Sequence, residues 1–466
     1  MSPTLLHAWE KVLRRRGAAR AVVQAADGQT CTFRQLDARA TAWLAGHAPT
    51  ANDALRGQAV VFTAPNGIGW LEIFLGLMHA GAVAVPLDPG EPPAEQRRLA
   101  VTLRAGFLWE GGRLVPLAGA RRYRNPAVCL IKLTSGTTGQ PRPLVFTAAQ
   151  LLSDTRQISA TMGISPRDLN YALIPFGHSY GLGNLTLQLI ARGVPLVCGT
   201  APLPHAIAED FSRWRPSVFP GVPPVFHALA ATGVAPAALA SLRLAISAGA
   251  PLPPATARDF VARFDRPVHN FYGSSETGGI SFDRTGGATL AGGVGRPLRG
   301  VRVTLLPGQR LRVTSAAVFT QGNRRGKNGL GVWNPPDLAS VDIRGGLTLL
   351  GRRSTTVKIG GRRVNLTEVT ARLRQLPGVH DAWVGVNPEG EPVLGAAVIT
   401  ARAARELQHA LQGATAPWKI PKKWAVLPQF PLTARGKVDT RALQQRLFGP
   451  IPVALPPEDP KVKSPC

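Results

Sequence analysis

The stretch LTSGTTGQPRPLVFT, residues 133–147, is the most informative part of this chain. A strand-like apolar run, residues 128–133, leads into it, and its glycines stand among small hydroxyl residues. Such a composition leaves backbone N–H groups free to meet an anion and adds hydroxyl donors at short intervals. The lysine of a GxxxxGK[ST] loop is missing, so this is not that loop. The pattern favours a polyphosphate-binding loop over an ordinary Ser/Thr/Gly-rich surface turn.

Length and composition indicate a folded protein of more than one domain. The 466 residues exceed the size of one ordinary domain, and 44% of them are hydrophobic, which is enough for sizeable cores. We expect no membrane span, because the longest apolar stretch, residues 68–86, is interrupted by Glu72 and His79. The N-terminal segment lacks the apolar core of a signal peptide, so we expect a cytoplasmic location.

The charge balance is strongly basic, with 54 Lys+Arg against 27 Asp+Glu and a formal net charge of +27. Such a surface attracts polyanions, including nucleic acid, nucleotide cofactors and an acidic carrier protein. Nucleic-acid readers usually concentrate basic and aromatic residues, whereas here arginine is dispersed and aromatic residues are few. We therefore expect no nucleic-acid partner and keep a basic nucleic-acid-associated protein as a remote alternative. The four cysteines lack paired spacing, which argues against a disulfide framework or a zinc site.

The periodicity of apolar residues predicts the fold class. Residues 59–86 have the pattern of a strand, a helix and a strand, and similar alternation continues to about residue 273. This alternation predicts a large N-terminal domain of layered α/β subdomains with mostly parallel sheets. After about residue 295 the runs VRVTLL and RLRVTS look like short antiparallel strands.

A smaller α+β domain is predicted after residue 351. A glycine-containing turn there precedes a predicted helix at residues 365–376, a strand pair and a second helix at residues 403–411. We place the domains at residues 1–351 and 352–449, followed by a Pro-rich flexible tail at residues 450–466.

Six further segments contain residues suited to a binding site. Taken singly, most of them would be interpreted as ordinary turns, a buried or capping histidine, or solvated surface groups. In chain order they are LIPFGHSYGL (173–182), LRLAISAGAPL (242–252), NFYGSSETGG (270–279), VWNPPDLA (332–339), GRRSTTVKIGGRRVNLTEV (351–369) and PLTARGKVDTRAL (431–443).

In order and spacing these segments resemble the adenylate-forming enzymes, which include acyl-CoA synthetases, peptide-synthetase adenylation domains and luciferase. The resemblance covers nearly the whole chain, is weakest over the first ~50 residues and is absent from the tail. It implies that a fatty or aryl carboxylic acid is activated with ATP to an acyl-AMP. The acyl group would then pass to the thiol of coenzyme A, or of phosphopantetheine on an acyl carrier protein. It also implies a β-barrel-like part in the N-terminal, AMP-binding domain and a mobile C-terminal lid.

The resemblance further implies a role for individual residues. Lys437 would reach the α-phosphate, His178 would line the acyl pocket, and Glu276 and Thr138 would bind Mg²⁺ and act in catalysis. The nucleotide would be bound by Thr134, Ser135, Gly136, Thr137, Thr138, Gly139, Arg142, Gly249, Ala250, Pro251, Asn270, Phe271, Tyr272, Gly273, Ser275, Asp337, Arg352 and Lys358.

The predicted acyl site suggests a class of substrate. Gly278 and Gly279 are expected to leave volume after Glu276, while His178 and Tyr180 add polar and aromatic lining. These features favour a fatty or an aryl acid. The sequence shows no clear acidic residue for an α-ammonium group, which makes an amino acid less expected.

Several departures from the family pattern motivate an alternative. Pro143 replaces a residue with an N–H in the phosphate loop, Pro335 and Pro336 precede Asp337, and Ser354 occupies the expected hinge. A degenerate homologue that binds nucleotide with little turnover would fit these changes. Retention of the predicted catalytic residues argues for an active acid–thiol ligase.

Overall fold

A computed structural model describes residues 4–48, 54–134, 142–320, 330–352, 356–359, 362–387, 392–412, 415, 417–433 and 437–449. The helices are α1 (Leu5–Arg16), α2 (Phe33–His47), α3 (Ile68–His79), α4 (Pro93–Thr102), α5 (Ala148–Met162), α6 (Ser179–Gly181), α7 (Leu187–Arg192), α8 (Pro204–Trp214), α9 (Pro223–Ala231), α10 (Pro254–Phe264), α11 (Gly287–Leu290), α12 (Leu366–Gln375), α13 (Ala404–Gln412) and α14 (Thr440–Phe448), with a π-helical segment at Leu182–Thr186.

The strands are β1 (Arg20–Gln24), β2 (Thr30–Thr32), β3 (Ala59–Phe62), β4 (Val83–Pro86), β5 (Phe107–Glu110), β6 (Arg113–Pro116), β7 (Val128–Thr134), β8 (Arg142–Thr147), β9 (Asn170–Ala172), β10 (Leu196–Cys198), β11 (Val218–Gly221), β12 (Leu244–Ser247), β13 (Val268–Ser274), β14 (Gly278–Phe282), β15 (Arg296–Pro297), β16 (Arg302–Leu306), β17 (Arg310–Ser315), β18 (Gly331–Trp333), β19 (Asp337–Val341), β20 (Leu347–Arg352), β21 (Thr356–Ile359), β22 (Arg362–Asn365), β23 (Val379–Val386), β24 (Leu394–Thr400) and β25 (Lys423–Leu427).

The chain divides into two compact units. The larger one comprises residues 1–350 together with 434–437, and the smaller one comprises residues 351–433 and 438–466. The predicted tail at residues 450–466 lies outside the described residues. No helix in the described part of the chain is both long and apolar enough to cross a membrane.

The largest sheet has the order β15-β14-β13-β12-β11-β9-β10-β1-β2. Its central strands β9, β11, β12 and β13 run parallel, and antiparallel strands close both ends. Every residue of β11 and β12 is buried. Continuous apolar strands of this kind are typical of parallel sheets that are covered on both faces. The α/β prediction is therefore confirmed for this layer.

A second sheet has the order β6-β5-β3-β4-β7-β8 and contains the strand that leads into the phosphate stretch. The predicted strand–helix–strand unit at residues 59–86 is β3, α3 and β4. Strands β3 and β4 are parallel and fully buried. Most of α3 is buried as well, as expected of a helix that is apolar on nearly all sides.

The antiparallel strands after residue 295 form an open sheet. Its order is β16-β17-β19-β20, with β18 paired to β17. A barrel requires the two terminal strands to pair with each other, but β16 and β20 stand at opposite ends of this order. The expected β-barrel-like part is therefore wrong, because the described strands form no closed barrel.

The smaller unit has its own apolar core. Strand β24 pairs antiparallel with β23 and parallel with β25, which gives a three-stranded sheet. The amphipathic helix α12 buries Val369 and Leu373 against this sheet, and α13 buries Leu407 and Leu411. The predicted helices at residues 365–376 and 403–411 correspond to α12 and α13 within one residue at each end.

Candidate active site

Several predicted site segments follow strands that end at one edge of the largest sheet. Strands β9, β11, β12 and β13 are parallel neighbours, so their carboxyl ends lie along the same edge. His178 follows β9, the turn at residues 249–251 follows β12, and Tyr272 lies near the end of β13. In α/β sheets, ligands bind outside the carboxyl ends of such strands. The topology therefore gathers residues that are up to about 100 positions apart in sequence.

Tyr272 and Asp337 are joined by a hydrogen bond. The Tyr272 hydroxyl donates to Oδ2 of Asp337 over 2.8 Å, although the two residues are 65 positions apart. Asp337 is buried at the first position of β19, and Tyr272 is half-buried. The proline pair before Asp337 therefore does not prevent its contact with Tyr272. A ring face beside a carboxylate is the pair of groups that an adenosine moiety needs for stacking and for its ribose hydroxyls.

The turn that carries Glu276 is held from two other elements. The carbonyl of Glu276 accepts a hydrogen bond from the backbone N–H of Phe319 over 2.7 Å. Gly278 has φ +69°, and the next residue, Gly279, donates its N–H to Oδ1 of Asp154 on α5 over 2.9 Å. The Glu276 side chain is half-buried. This anchoring fixes the backbone from which the predicted metal-binding carboxylate extends.

The His178 segment contacts the same turn through two serines. Ser179 Oγ donates to Ser275 Oγ over 2.9 Å. His178 is the N-cap of the short helix α6, and its Nδ1 accepts from the Tyr180 N–H over 3.4 Å. Tyr180 is buried, and its hydroxyl donates to the carbonyl of Ile246. His178 therefore caps this short helix, and Tyr180 is packed in the core with its hydroxyl paired.

The expected volume at Gly278 and Gly279 is also wrong. A Cβ on Gly278 would lie 2.3 Å from Oδ1 of Asp154. A Cβ on Gly279 would lie 2.5 Å from Leu298 and 2.8 Å from the ring of Phe271. These positions are glycine because neighbouring side chains occupy the space, and one of those neighbours is a buried carboxylate.

The described ends of the phosphate stretch are paired with each other. Thr134 at the end of β7 is opposite Arg142 at the start of β8, and its hydroxyl donates to the Arg142 carbonyl over 3.4 Å. The predicted residues between them, Ser135 to Gly139 with Thr138, lie outside the described residues. Pro143 lies on β8, an edge strand of the sheet, where a missing backbone donor is best tolerated.

Arg142 lies against aromatic rings near the Glu276 turn. Its guanidinium carbon is 5.7 Å from the centroid of Trp333 and 6.0 Å from that of Phe319. Phe319 is the residue whose N–H binds the carbonyl of Glu276. A cation over these rings is stabilised electrostatically while its donors stay accessible to an anion. Arg142 is therefore positioned by residues outside the phosphate stretch.

Two charged residues that the sequence did not indicate are buried near this turn. Lys132 on β7 and Asp154 on α5 are 6% and 5% exposed. Burial lowers the pKa of Lys132, and the charges of Asp154 and Glu276 oppose that shift. Burial raises the pKa of Asp154, against the effects of Lys132 and the Gly279 N–H. In the sequence, the feature that could have indicated this buried charge is a lysine within the otherwise apolar strand VCLIKLT.

The remaining predicted nucleotide residues of the larger unit have mixed environments. Asn270 is buried, and its amide donates to the carbonyl of Gly293 over 2.8 Å. Phe271 is buried beside Tyr180. The turn at residues 249–251 is exposed, with Gly249 at φ +88°. Asn270 and Phe271 therefore support the strand, while the exposed turn is the part with atoms open to a ligand.

For the site residues predicted near the C-terminus, the structure describes the backbone of all three but the side chain of Lys437 alone. Arg352 ends β20 and Lys358 lies in β21, but their side chains are outside the described part of the structure. Lys437 is exposed and lies two residues before Asp439. Asp439 is the N-cap of α14 and accepts from the N–H groups of Arg441 and Ala442. The aspartate of this segment thus has a structural role, and an Asp before a helical run was the sequence signal for it.

The donor set fits a magnesium ion that arrives with a polyphosphate. Among the described residues, no cluster of three or more His, Cys, Asp or Glu side chains could hold a metal ion alone. Magnesium in nucleotide sites takes one or two carboxylates and completes its shell with phosphate oxygens and water. Glu276 at the strand edge offers one such carboxylate.

A largely parallel α/β sheet with Tyr272 near the end of β13, bonded to Asp337 at the start of β19, is the arrangement of a nucleotide-dependent α/β enzyme. The chain belongs to the AMP-binding enzyme family, whose model matches residues 9–111 and 118–316. It is 26% identical over 446 residues to a feruloyl-CoA synthase from Amycolatopsis sp, covering 84% of this chain and 89% of that protein. It is also 26% identical over 339 residues to a benzoate–CoA ligase from Thauera aromatica, covering 66% of this chain and 64% of that one.

A solved structure is similar to this chain over most of its length. The anthranilate CoA ligase AuaEII, in complex with anthranoyl-AMP, superposes with a TM-score of 0.79 at 20% identity. The alignment covers 96% of this chain and 97% of that one. The relatives are thus acyl- and aryl-CoA ligases and adenylating enzymes, and the predicted family is confirmed.

Proposed function

We propose that this protein is an acid–thiol ligase that activates a fatty or aryl carboxylic acid with ATP. The observation that carries the proposal is the hydrogen bond between Tyr272 and Asp337 beside the Glu276 turn. It joins two residues that the sequence predicted as nucleotide-binding from two separate segments. The curated relatives, which are named as aryl-CoA ligases, support the same reaction class.

In the first half-reaction the acid's carboxylate oxygen attacks the α-phosphorus of ATP. The bond from that phosphorus to the bridging oxygen breaks, and pyrophosphate leaves with the electron pair. Lys437 would stabilise the charge that develops on the α-phosphate, and Arg142 would attract the leaving phosphates. A magnesium ion held by Glu276 would neutralise phosphate charge. Holding two anions together in this way supplies much of the rate enhancement.

In the second half-reaction a thiolate attacks the carbonyl carbon of the acyl-AMP, and AMP leaves. We propose coenzyme A or the phosphopantetheine of an acyl carrier protein as the thiol. The formal charge of +27 would speed encounter with either polyanion, since a carrier protein is typically acidic. No covalent enzyme intermediate is needed.

The two predicted domains would have different functions in this reaction. We propose that residues 1–351 bind the nucleotide and the acid, and that residues 352–449 act as a mobile lid. The reaction consumes ATP, so we also propose a cytoplasmic location.

Pyrophosphate release tests the proposal. Mg·ATP is supplied with fatty, aryl and amino acids, first without a thiol and then with coenzyme A or a holo carrier protein. We expect release with one class of acid, and stimulation by one of the two thiols. Bound ATP without pyrophosphate release across the whole panel would instead support the degenerate nucleotide-binding homologue.

A further inference from the structure

An arginine lies at the start of each of six neighbouring parallel strands in the largest sheet. In sheet order these strands are β13, β12, β11, β9, β10 and β1. Each arginine is the first residue of its strand or lies one to four residues before it. In the same order they are Arg266, Arg243, Arg215, Arg167, Arg192 and Arg20. Parallel strands begin at one edge of a sheet, so these arginines line the edge opposite the candidate active site.

The edge with the candidate active site has the opposite composition. The four residues that follow each of the six strands include no arginine or lysine. A chain that is rich in arginine throughout would carry basic residues at both edges, so overall composition does not explain this difference. Arginine is dispersed along the sequence, and the topology of the sheet gathers it at one edge, where such a concentration of positive charge attracts anions.

Four helices extend this basic edge to both faces of the sheet. Three residues connect α1 to β1, α7 to β10, α8 to β11 and α10 to β13. The apolar residues of α1 and α7 belong to one core cluster and those of α8 and α10 to another, so the two pairs cover opposite faces. The last turns of these helices add Arg14, Arg15, Arg16, Arg213 and Arg263. With the six strand arginines these residues form the basic face, which extends about 24 Å along the sheet and about 10 Å to either side.

Only some arginines of the basic face stabilise the fold. Arg243 pairs with Asp168 over 2.6 Å and so supports the connection before β9. Four others are exposed and make no side-chain hydrogen bond or ion pair with the described residues, namely Arg20, Arg167, Arg192 and Arg215. Arg215 also has φ +53°, a left-handed conformation that usually favours glycine or asparagine. Helix capping and internal pairing therefore do not explain these four arginines.

The neighbouring side chains indicate which polyanion fits the basic face. A protein partner usually needs large apolar anchors, and none of the exposed large hydrophobic residues in the described chain lies in these connections or helix ends. A nucleic-acid site usually has exposed aromatic rings, but Phe264 is buried and Trp214 lies beneath the guanidinium of Arg213. The carboxylates in these connections, Asp168 and Asp265, each lie beside an arginine. A two-dimensional array of cations without apolar or stacking groups is complementary to a plane of lipid phosphates.

We propose that the basic face binds the surface of an anionic phospholipid membrane. Its guanidinium groups would donate hydrogen bonds to lipid phosphates, since their planar fork of donors matches the phosphate oxygens. The candidate active site lies at the opposite edge of the sheet, so it would remain open to ATP and to the thiol. The inference goes beyond the ligase reaction and does not depend on it.

Vesicle co-sedimentation tests this assignment. The full-length protein is mixed with vesicles of phosphatidylcholine alone, or of phosphatidylcholine with about 30% phosphatidylglycerol. We expect binding to the anionic vesicles only, and we expect it to weaken at least tenfold between about 0.1 M and about 0.5 M NaCl because salt screens exposed charges. No binding to the anionic vesicles, or equal binding to both kinds, would overturn the inference and leave the ligase assignment intact.

A fourfold variant identifies the surface that binds. Replacing the four arginines without internal partners by Gln removes four charges and no described side-chain bond, and the residues are Arg20, Arg167, Arg192 and Arg215. We expect the affinity for anionic vesicles to fall by about 10²-fold or more, since each basic residue near a membrane contributes about fivefold.

A matched control removes the same charge elsewhere. Arg113 in β6, Arg124, Lys422 and Lys423 are also exposed, and none of them belongs to the basic face. Replacing these four by Gln should leave the affinity for anionic vesicles within about threefold of the wild-type value. Equal weakening by both variants would show attraction by net charge alone and would overturn the inference.

Two further measurements separate the remaining outcomes. Tighter binding of a short DNA duplex than of anionic vesicles, lost in the same fourfold variant, would assign the basic face to nucleic acid and overturn the membrane assignment. If the variant does not fold, modification of arginines by phenylglyoxal in the wild-type protein decides the question. Anionic vesicles should then protect Arg167, Arg192 and Arg215 and leave Arg113 and Arg124 reactive, and unchanged modification of all five would overturn the inference.

Discussion

Removing the Tyr272 hydroxyl tests the geometry of the nucleotide site. Tyr272→Phe keeps the ring for stacking and deletes the hydrogen bond to Asp337, which is 2.8 Å long. Asp337 is buried, so its carboxylate depends on such donors for its orientation. We expect the variant to bind ATP more weakly without losing its fold.

The size of the effect follows from the environment of the bond. A hydrogen bond to a charged group contributes about 1.5–3 kcal/mol. Because Tyr272 is half-buried, water can replace part of the lost bond, and we expect the lower end of that range. Where this bond holds Asp337 in the orientation that the ribose requires, a loss of about 1.5 kcal/mol from the ATP-bound state relative to the free state corresponds to a roughly tenfold increase in the Kd for ATP.

Isothermal titration calorimetry with Mg·ATP measures this Kd directly. The matched control is Tyr171→Phe, which removes a Tyr–Asp hydrogen bond of 2.6 Å to Asp210 elsewhere in the larger unit. The control should lower the thermal unfolding midpoint and leave the Kd for ATP unchanged. A Kd for Tyr272→Phe within twofold of the wild-type value would refute the assignment of this pair to the nucleotide. If both variants raise the Kd for ATP equally, the effect comes from a general loss of protein stability.

Three further predictions address catalysis, packing and pH. Lys437→Ala should lower the rate of adenylate formation by about 10²-fold or more while ATP still binds, as measured by single-turnover kinetics. Full activity of this variant would contradict the role assigned to Lys437. Gly278→Ala should lower the free energy of unfolding by at least about 1–2 kcal/mol, because φ is +69° and its Cβ would overlap Asp154; unchanged denaturation would contradict this packing. Burial by itself would raise the pKa of Asp168. The hydrogen bonds to this carboxylate, chiefly the one from Arg243, together outweigh burial and lower its pKa. The stability that this carboxylate provides is present above its unfolded pKa of about 3.9 and is lost as pH falls through the lower folded value. Asp168→Asn should therefore lower the free energy of unfolding at pH 7, and this loss should shrink as the pH falls below about 4. Denaturant titrations measure the difference in unfolding free energy between wild type and variant. A difference that does not change with pH would contradict the assignment.

Local patterns in the sequence were sufficient for much of the fold. The helices predicted at residues 365–376 and 403–411 are α12 and α13, and the predicted strand pair of the smaller unit is β23 and β24. These elements are apolar on a clear helical or strand period, so burial alone fixes them. The resemblance also predicted Tyr272 and Asp337 separately as nucleotide-binding residues, from two short segments of the sequence.

Contacts between distant segments could not be read from those patterns. The bond from Tyr272 to Asp337 spans 65 positions, and that from Gly279 to Asp154 spans 125. Glycines that admit a neighbouring side chain look the same in a sequence as glycines that leave space, which is why Gly278 was misinterpreted. The barrel-like part was an implication of the resemblance, and the short antiparallel strands themselves do not state whether the terminal strands pair.

The route of the acid's oxygen through the reaction tests the central claim most directly. An acid that supports pyrophosphate release is labelled with oxygen-18 in its carboxylate and converted in the presence of Mg·ATP and the thiol, and the products are analysed by mass spectrometry. Attack on the α-phosphorus predicts one oxygen-18 atom in the AMP. Label in orthophosphate, or AMP without label, would contradict adenylate formation by this protein.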